Sequence, residues 1–132
     1  MRRSSAWSSC LLTFALAGCM GPAPPASTSA ELVVRAYYDA IIRKDWDQAF
    51  GVVETKAPND GPHFAIKAER FRRQFGFEPD QVVVRSCREH GDEATAHVVL
   101  KGGGHLFKDA IVLRKAGGTW RAMLPPRFGE QR

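Results

Sequence analysis

Residues 81–124 run QVVVRSCREHGDEATAHVVLKGGGHLFKDAIVLRKAGGTWRAML, and the reading of this stretch decides the fold. Apolar and β-branched residues gather in four runs, at about 81–89, 93–101, 106–115 and 119–124, with partial alternation inside each. Gly91-Asp92, Gly102-Gly103-Gly104 and Gly117-Gly118 separate the runs. Each separator is short enough to join two strands as an antiparallel hairpin. The expectation is a four-stranded antiparallel meander. Pro125-Pro126 closes its last strand, because proline cannot donate to a ladder. The polar remainder, 125–132, is expected to be a flexible tail.

Upstream of residue 81 the periodicity changes from two to helical. Thr28 and Glu31 have the spacing of a capping box, in which the hydroxyl and the carboxylate satisfy each other's backbone amides. A helix is expected from there to about Lys44. Val33, Tyr37, Ala40 and Ile41 form its stripe, with Leu32 and Ala36 beside it. Asp45 caps a second, shorter helix that buries Trp46, Ala49, Phe50 and Val53. Pro62 suits the first turn of a third helix. Phe64, Ala68, Phe71 and Phe75 form its inner face, and Gly76 stands where a terminating glycine belongs. Three helices followed by a meander define an α+β domain, residues 30–124, with the helices on one face of a curved antiparallel sheet.

The N-terminal residues carry an address. Arg2 and Arg3 precede a short apolar stretch, and Leu16-Ala17-Gly18-Cys19 follows it. An apolar run of about ten residues is too short for a bilayer core that needs roughly twenty, so residues 1–18 read as a cleaved signal peptide. The tetrapeptide resembles the bacterial lipobox. That resemblance implies a diacylglycerol thioether on Cys19, cleavage before it, and an acylated amino terminus. Several acyl chains anchor firmly where one would be marginal. Residues 19–29 then form the lipidated cysteine and a Pro/Ser-rich tether with a reach of about 30 Å. Met20 follows the cysteine where inner-membrane retention favours aspartate, so the resemblance implies the outer membrane, facing the periplasm.

This address changes the meaning of the totals. The whole chain carries 19 Lys+Arg against 14 Asp+Glu, but loss of Arg2 and Arg3 lowers the net charge from +5 to +3. Of three cysteines, Cys10 departs with the signal and Cys19 is alkylated, so Cys87 is left without an intramolecular disulfide partner. Nucleic acid is not an expected partner in the periplasm.

The first helix, then Arg43-Lys44-Asp45-Trp46-Asp47-Gln48-Ala49-Phe50, a further helix, a Gly-Asp turn and a closing Leu113 through Gly118-Thr119-Trp120 resemble the nuclear transport factor two-like (cystatin-like) superfamily. Its small lumazine-binding-like and uncharacterised bacterial lipoproteins are the nearest in pattern. The resemblance implies a cone, in which a strongly curved sheet wraps around the helices. It implies nothing firm about chemistry, since this fold hosts many functions. Isomerases of the superfamily use an acidic base on a strand after the second helix. Here the corresponding Val53-Glu54-Thr55-Lys56-Ala57-Pro58 is short and broken by proline, leaving Glu54 and Asp60 as the nearby acids.

Reading Gly102-Gly103-Gly104 as a three-residue loop sets Asp109 opposite His97, and a Gly91-Asp92 turn sets Ser86 opposite His97. The row Ser86, His97, Asp109 would then face inward with Val84, Val99, Phe107, Ile111, Leu113, Trp120 and Leu124. Three readings are open: a hydrogen-bonded polar stripe, the polar floor of a ligand pocket, and a catalytic row. Opposed side chains on a flat row do not converge, and nothing nearby supplies an oxyanion hole, which counts against hydrolysis. A pocket would be walled by Tyr37, Phe107 and Trp120, with Ser86, His97 and Asp109 as polar contacts for a small apolar or amphipathic ligand. Tyr37 or Tyr38 could donate a hydrogen bond into its interior.

His63, His90, His97 and His105 lack ligand spacing, so no metal is expected, and no cofactor motif is present. The basic residues fall into two sets, Lys67, Arg70, Arg72 and Arg73 on the third helix, and Arg85, Lys108, Arg114 and Arg121 on the outer sheet face. Both read as solvated surface, with anionic headgroups or cell-wall polymers as the functional alternative. The expected role is non-enzymatic ligand binding. The alternatives are an interaction module of an envelope complex, or homodimer, using the exposed sheet face around Arg85, Lys108 and Met123, and a small enzyme of the isomerase type.

Overall fold

The computed structural model describes residues 29–54 and 61–130. Leu16, Ala17, Gly18, Cys19, the tether up to Thr28, and Asp60 lie outside the described residues, while Ser29, expected in the tether, begins the first helix.

Helix α1, Ser29–Arg43, buries Ala30, Val34, Tyr37, Tyr38, Ala40 and Ile41, a stripe at steps of three and four. Tyr37, Ala40 and Ile41 of the expected stripe are buried and Val33 packs beside them; the flank is what differs. Leu32 is 56% exposed, while Tyr38 is fully buried. Leu32-Val33-Val34 is apolar on every side at that turn, so hydrophobicity alone leaves the phase of the helix open. The helix ends in a Schellman motif: the Asp45 amide donates to the Ala40 carbonyl (2.8 Å) and the Lys44 amide to that of Ile41 (3.2 Å). Lys44 holds the left-handed position, φ 61°, that glycine usually takes. Asp45 then caps α2, Trp46–Gly51, by accepting from the Gln48 amide at 3.2 Å. Helix α3, Gly61–Arg73, turns Phe64 and Ala68 inward, as its pattern predicts.

Strands β1 (Gln81–His90), β2 (Glu93–Gly102), β3 (His105–Ala116) and β4 (Thr119–Met123) pair antiparallel in chain order. Beyond β4 the segment Val52–Glu54 adds a short parallel pairing. Glu54 N–H donates to Ala122 O and Ala122 N–H to Val52 O, both at 2.8 Å. The helices cover one face of the sheet. Ala94, Ala96, Val98 and Leu100 of β2, Ile111 and Leu113 of β3 and Trp120 and Ala122 of β4 face them, with Val82, Val84, Cys87, Phe107 and Leu124 at the margin.

Two register features position everything on the opposite face. The second hairpin turn is Gly103-Gly104, not the three-residue loop expected, because Gly102 stays in β2 and pairs with His105. Both turn glycines have positive φ (54° and 82°), as a tight two-residue turn requires. Gly102 is held in the strand by the chain before β1. The Asp80 amide donates to Lys101 O at 2.8 Å, and a β-carbon on Gly102 would run into the backbone of Glu78 and Pro79. His97 therefore lies opposite Ala110, and Asp109 opposite Val98. One residue of slip moves every side chain to the other face.

The second feature is a bulge in β1. Val84 pairs with Val98 and Ser86 with His97, so Arg85 is the extra residue. The inward positions then run 82, 84, 87, and Arg85 and Ser86 both turn outward.

The C-terminal segment is not loose over its described residues. Phe128 is 6% exposed, stacked on Phe64 (5.8 Å between ring centres) and tilted against Phe71 (5.1 Å). Gly129 lies so near Lys67 that a β-carbon there would meet its backbone, and Gln74 donates to the Glu130 carbonyl at 2.8 Å. The expectation of a flexible tail judged the segment by its charges and overlooked one aromatic ring.

Candidate functional site

The corrected register divides the expected pocket residues between the two faces of the sheet. Tyr37, Phe107, Asp109 and Trp120 are on the helix-covered side; Ser86 and His97 are on the outer side. No Ser–His–Asp row exists.

On the inner side, Asp109 meets a tyrosine instead. Tyr38 O–H donates to Asp109 Oδ2 at 2.6 Å, the length of a charge-assisted bond. Tyr37 packs edge-on against Tyr38 at 5.0 Å. Burial, with the Asp109 charge nearby, pushes both tyrosine hydroxyls far above their usual range, so both remain protonated donors. Asp109 is raised from the ordinary carboxylate range by burial, against the opposing pull of the Tyr38 and Ala110 hydrogen bonds. The expected walls are packed against neighbours. Tyr37 is 2% exposed and Trp120 4%, while Phe107 lies 4.6 Å from Phe75 and 6.3 Å from Phe71.

A depression of about 340 Å³ opens on the sheet, lined by Arg85, His97, Val98, Val99, Lys108 and Asp109. Val99, Lys108 and His97 alternate with the inward residues, so the depression belongs to the outer face, and Val98 and Asp109 border it from the intervening register pair. Val99 is 3% exposed yet stands apart from the helix-facing core. Its neighbours on the outer face bury it. Farther along this face Arg114 reaches Glu54 at 3.6 Å, and Arg121 donates to the Gly51 carbonyl at 2.7 Å, so these two brace the Val52–Glu54 segment.

Sequence reasoning placed Arg85, Lys108, Arg114 and Arg121 on the outer face, where they stand. It missed the bulge that joins Arg85 to His97, although the apolar positions Val82, Val84 and Cys87 break strict alternation where the extra residue sits. It also counted Arg72 as solvated surface, whereas that side chain is 10% exposed and bonded to α1. Among the described residues no helix is long and apolar enough to cross a membrane, and no group of metal-ligating side chains converges.

Three helices on one face of a curved four-stranded antiparallel meander make a nuclear transport factor two-like (NTF2-like) cone. Solved structures agree. The chain matches a candidate NTF2-like transpeptidase from Campylobacter jejuni with a TM-score of 0.58 at 8% identity, over 74% of this chain and 100% of that one. It matches a SEC-C-motif-containing protein from Rhodopseudomonas palustris with a TM-score of 0.53 at 22% identity, over 74% of this chain and 79% of that one. An NTF2-like protein of unknown function from Silicibacter pomeroyi gives 0.50 at 19% identity, over 71% and 87%. At these identities the likeness is one of fold. No protein-family profile matches the chain, and no curated protein matches it in sequence.

Proposed function

We propose that this protein is a lipid-anchored binding domain of the bacterial cell envelope, held at the outer membrane through Cys19, which acts without catalysis through the outer face of its sheet. One observation carries the choice of face. The depression and the basic side chains around it lie outside, whereas the aromatic residues suited to wall an inner pocket are packed on one another. The anchor rests on Leu16-Ala17-Gly18-Cys19. Excess cation on the binding face suits an anionic ligand or surface, and lipid attachment holds the domain near anionic headgroups.

The Tyr38–Asp109 pair favours a second reading, a small amphipathic ligand inside the cone with that pair as its polar contact. Such a ligand has to part the side chains packed on the helix-covered side of the sheet, so the two readings predict different access routes.

The test combines labelling and cross-linking in cells. Metabolic labelling with an alkyne fatty acid should mark the chain, and Cys19→Ala should abolish the label and release the domain from membranes. Photo-cross-linkers at Ala110 and Val112, on the outer face, should give adducts that one at Glu69 on α3 does not. Adducts from Glu69 alone, or an unlabelled chain, would overturn the reading.

A further inference from the structure

The bulge in β1 does more than bend the strand. Without it Arg85 would alternate onto one face and Ser86 onto the other; with it both project outward, beside His97. Lys108 reaches the same place from β3, where it pairs with Val99. Arg85, His97 and Lys108 thus come from three adjacent strands around one floor residue, Val99, which is 3% exposed. Strands lie about 4.8 Å apart, so the roots of Arg85 and Lys108 are some two spacings, about 10 Å, from each other. A tetrahedral oxyanion set between them lies within reach of both long side chains.

The site is unneutralised. Among the described residues none of the three side chains has a hydrogen-bond acceptor or ion-pair partner. The nearest outer positions are Val83, Ser86, Thr95, Lys101, Leu106, Ala110 and Val112, none of them acidic. Asp109 borders the depression, but its carboxylate is turned inward to Tyr38. Ser86, opposite His97, stands next to the lining with a hydroxyl. A second copy of the chain is a poor occupant, because pairing these faces would set Arg85, Arg88, Lys101 and Lys108 against themselves.

We infer that the outer-face depression is a phosphate-binding site in which Arg85 and Lys108 supply the charge and His97 and Ser86 complete the donor set. Arginine presents a planar fork that matches two phosphate oxygens, and lysine adds a point charge. The apolar floor at Val99 and the 58% exposed Leu106 beside Lys108 leave room for an apolar part of the same ligand. Free phosphate and an anionic phospholipid headgroup offer the same oxyanion. This inference rests on the outer-face reading above and names its ligand.

The test is a titration of the full-length chain in a non-ionic detergent, followed by amide NMR shifts at His97, Val99 and Lys108. The probes are inorganic phosphate, monomeric dihexanoylphosphatidylglycerol and its zwitterionic phosphatidylcholine counterpart. Saturable shifts with phosphatidylglycerol alone identify a lipid headgroup, and shifts with phosphate as well identify a free phosphate site. Arg85→Ser and Lys108→Ala should each weaken binding by about tenfold, the scale of one charged hydrogen bond. Arg88→Ala, on the same face nearer the hairpin, should leave it within about twofold. Equal losses at Arg88 would reduce the effect to diffuse charge and overturn the site. No saturable shift with any probe would also overturn it, while outer-face cross-links, if retained in cells, would leave the broader binding role standing.

Discussion

Asp109 is a carboxylate held in an apolar setting. The register sets it opposite Val98 on the apolar side of the sheet, and Tyr38 alone among the described side chains donates to it. Burial raises its pKa in the folded state above its value in the unfolded chain. The protonated form is then the better tolerated one. Its favourable contribution is complete below the ordinary carboxylate range and is lost as pH rises through the raised folded value. Asp109→Asn keeps the shape and removes the titration. Urea midpoints of the two proteins, taken across that window, should converge as pH falls and separate in favour of the variant as pH rises. A gap that does not change with pH would show that the carboxylate is not penalised in the fold.

Among the elements, α3 is tied to the end of α1 by the side chain of Arg72. The last turn of a helix leaves carbonyls without internal partners. Arg72 of α3 reaches two of these in α1: Nη2 donates to Ile42 O at 3.2 Å, and Nε at 3.1 Å to Ile41 O, which also accepts from the Lys44 amide, while the same Nη2 holds Glu78 at 2.7 Å. Arg72 in turn draws the exposed Glu78 carboxyl below its usual range. Arg72→Ala should lower stability by about 2 kcal/mol, since part-buried carbonyls lose a charged donor. Lysine should restore only part, because it lacks the fork. Urea denaturation measures both, and a loss under about 0.5 kcal/mol would mean that water replaces the guanidinium without cost. Element boundaries were readable in the sequence to within a residue or two, because Gly91, Gly103-Gly104 and Gly117-Gly118 punctuate the chain where backbone geometry needs them. The inner row was not readable. Its register depended on whether Gly102 belonged to strand or turn, and the answer lies in the approach of Glu78 and Pro79, a tertiary contact with no local signature. Arg72 was hidden for a related reason: a basic residue among basic residues looks solvated until its distant partner is known.

For the molecule as a whole, the segment after β4 is part of the core. Phe128 joins Phe64, Phe71, Phe75 and Phe107 in one aromatic cluster that links α3, β3 and the segment after β4. Phe128→Ala should cost about 3 kcal/mol, as truncation of a buried phenylalanine does, and the thermal midpoint should fall accordingly. A midpoint shift of only a degree or two would show that the tail rests on the surface rather than closing the core.

The bulge at Arg85 also has a bearing on solubility. Strand β1 is the outermost strand at its end of the sheet, with no strand beyond it among the described residues, and its run of three valines has the composition of a template for strand addition. An irregular, positively charged step in the middle of such an edge spoils its match to any incoming chain. Deleting residue 85 would straighten that edge, and the resulting protein would be prone to polymerise through it.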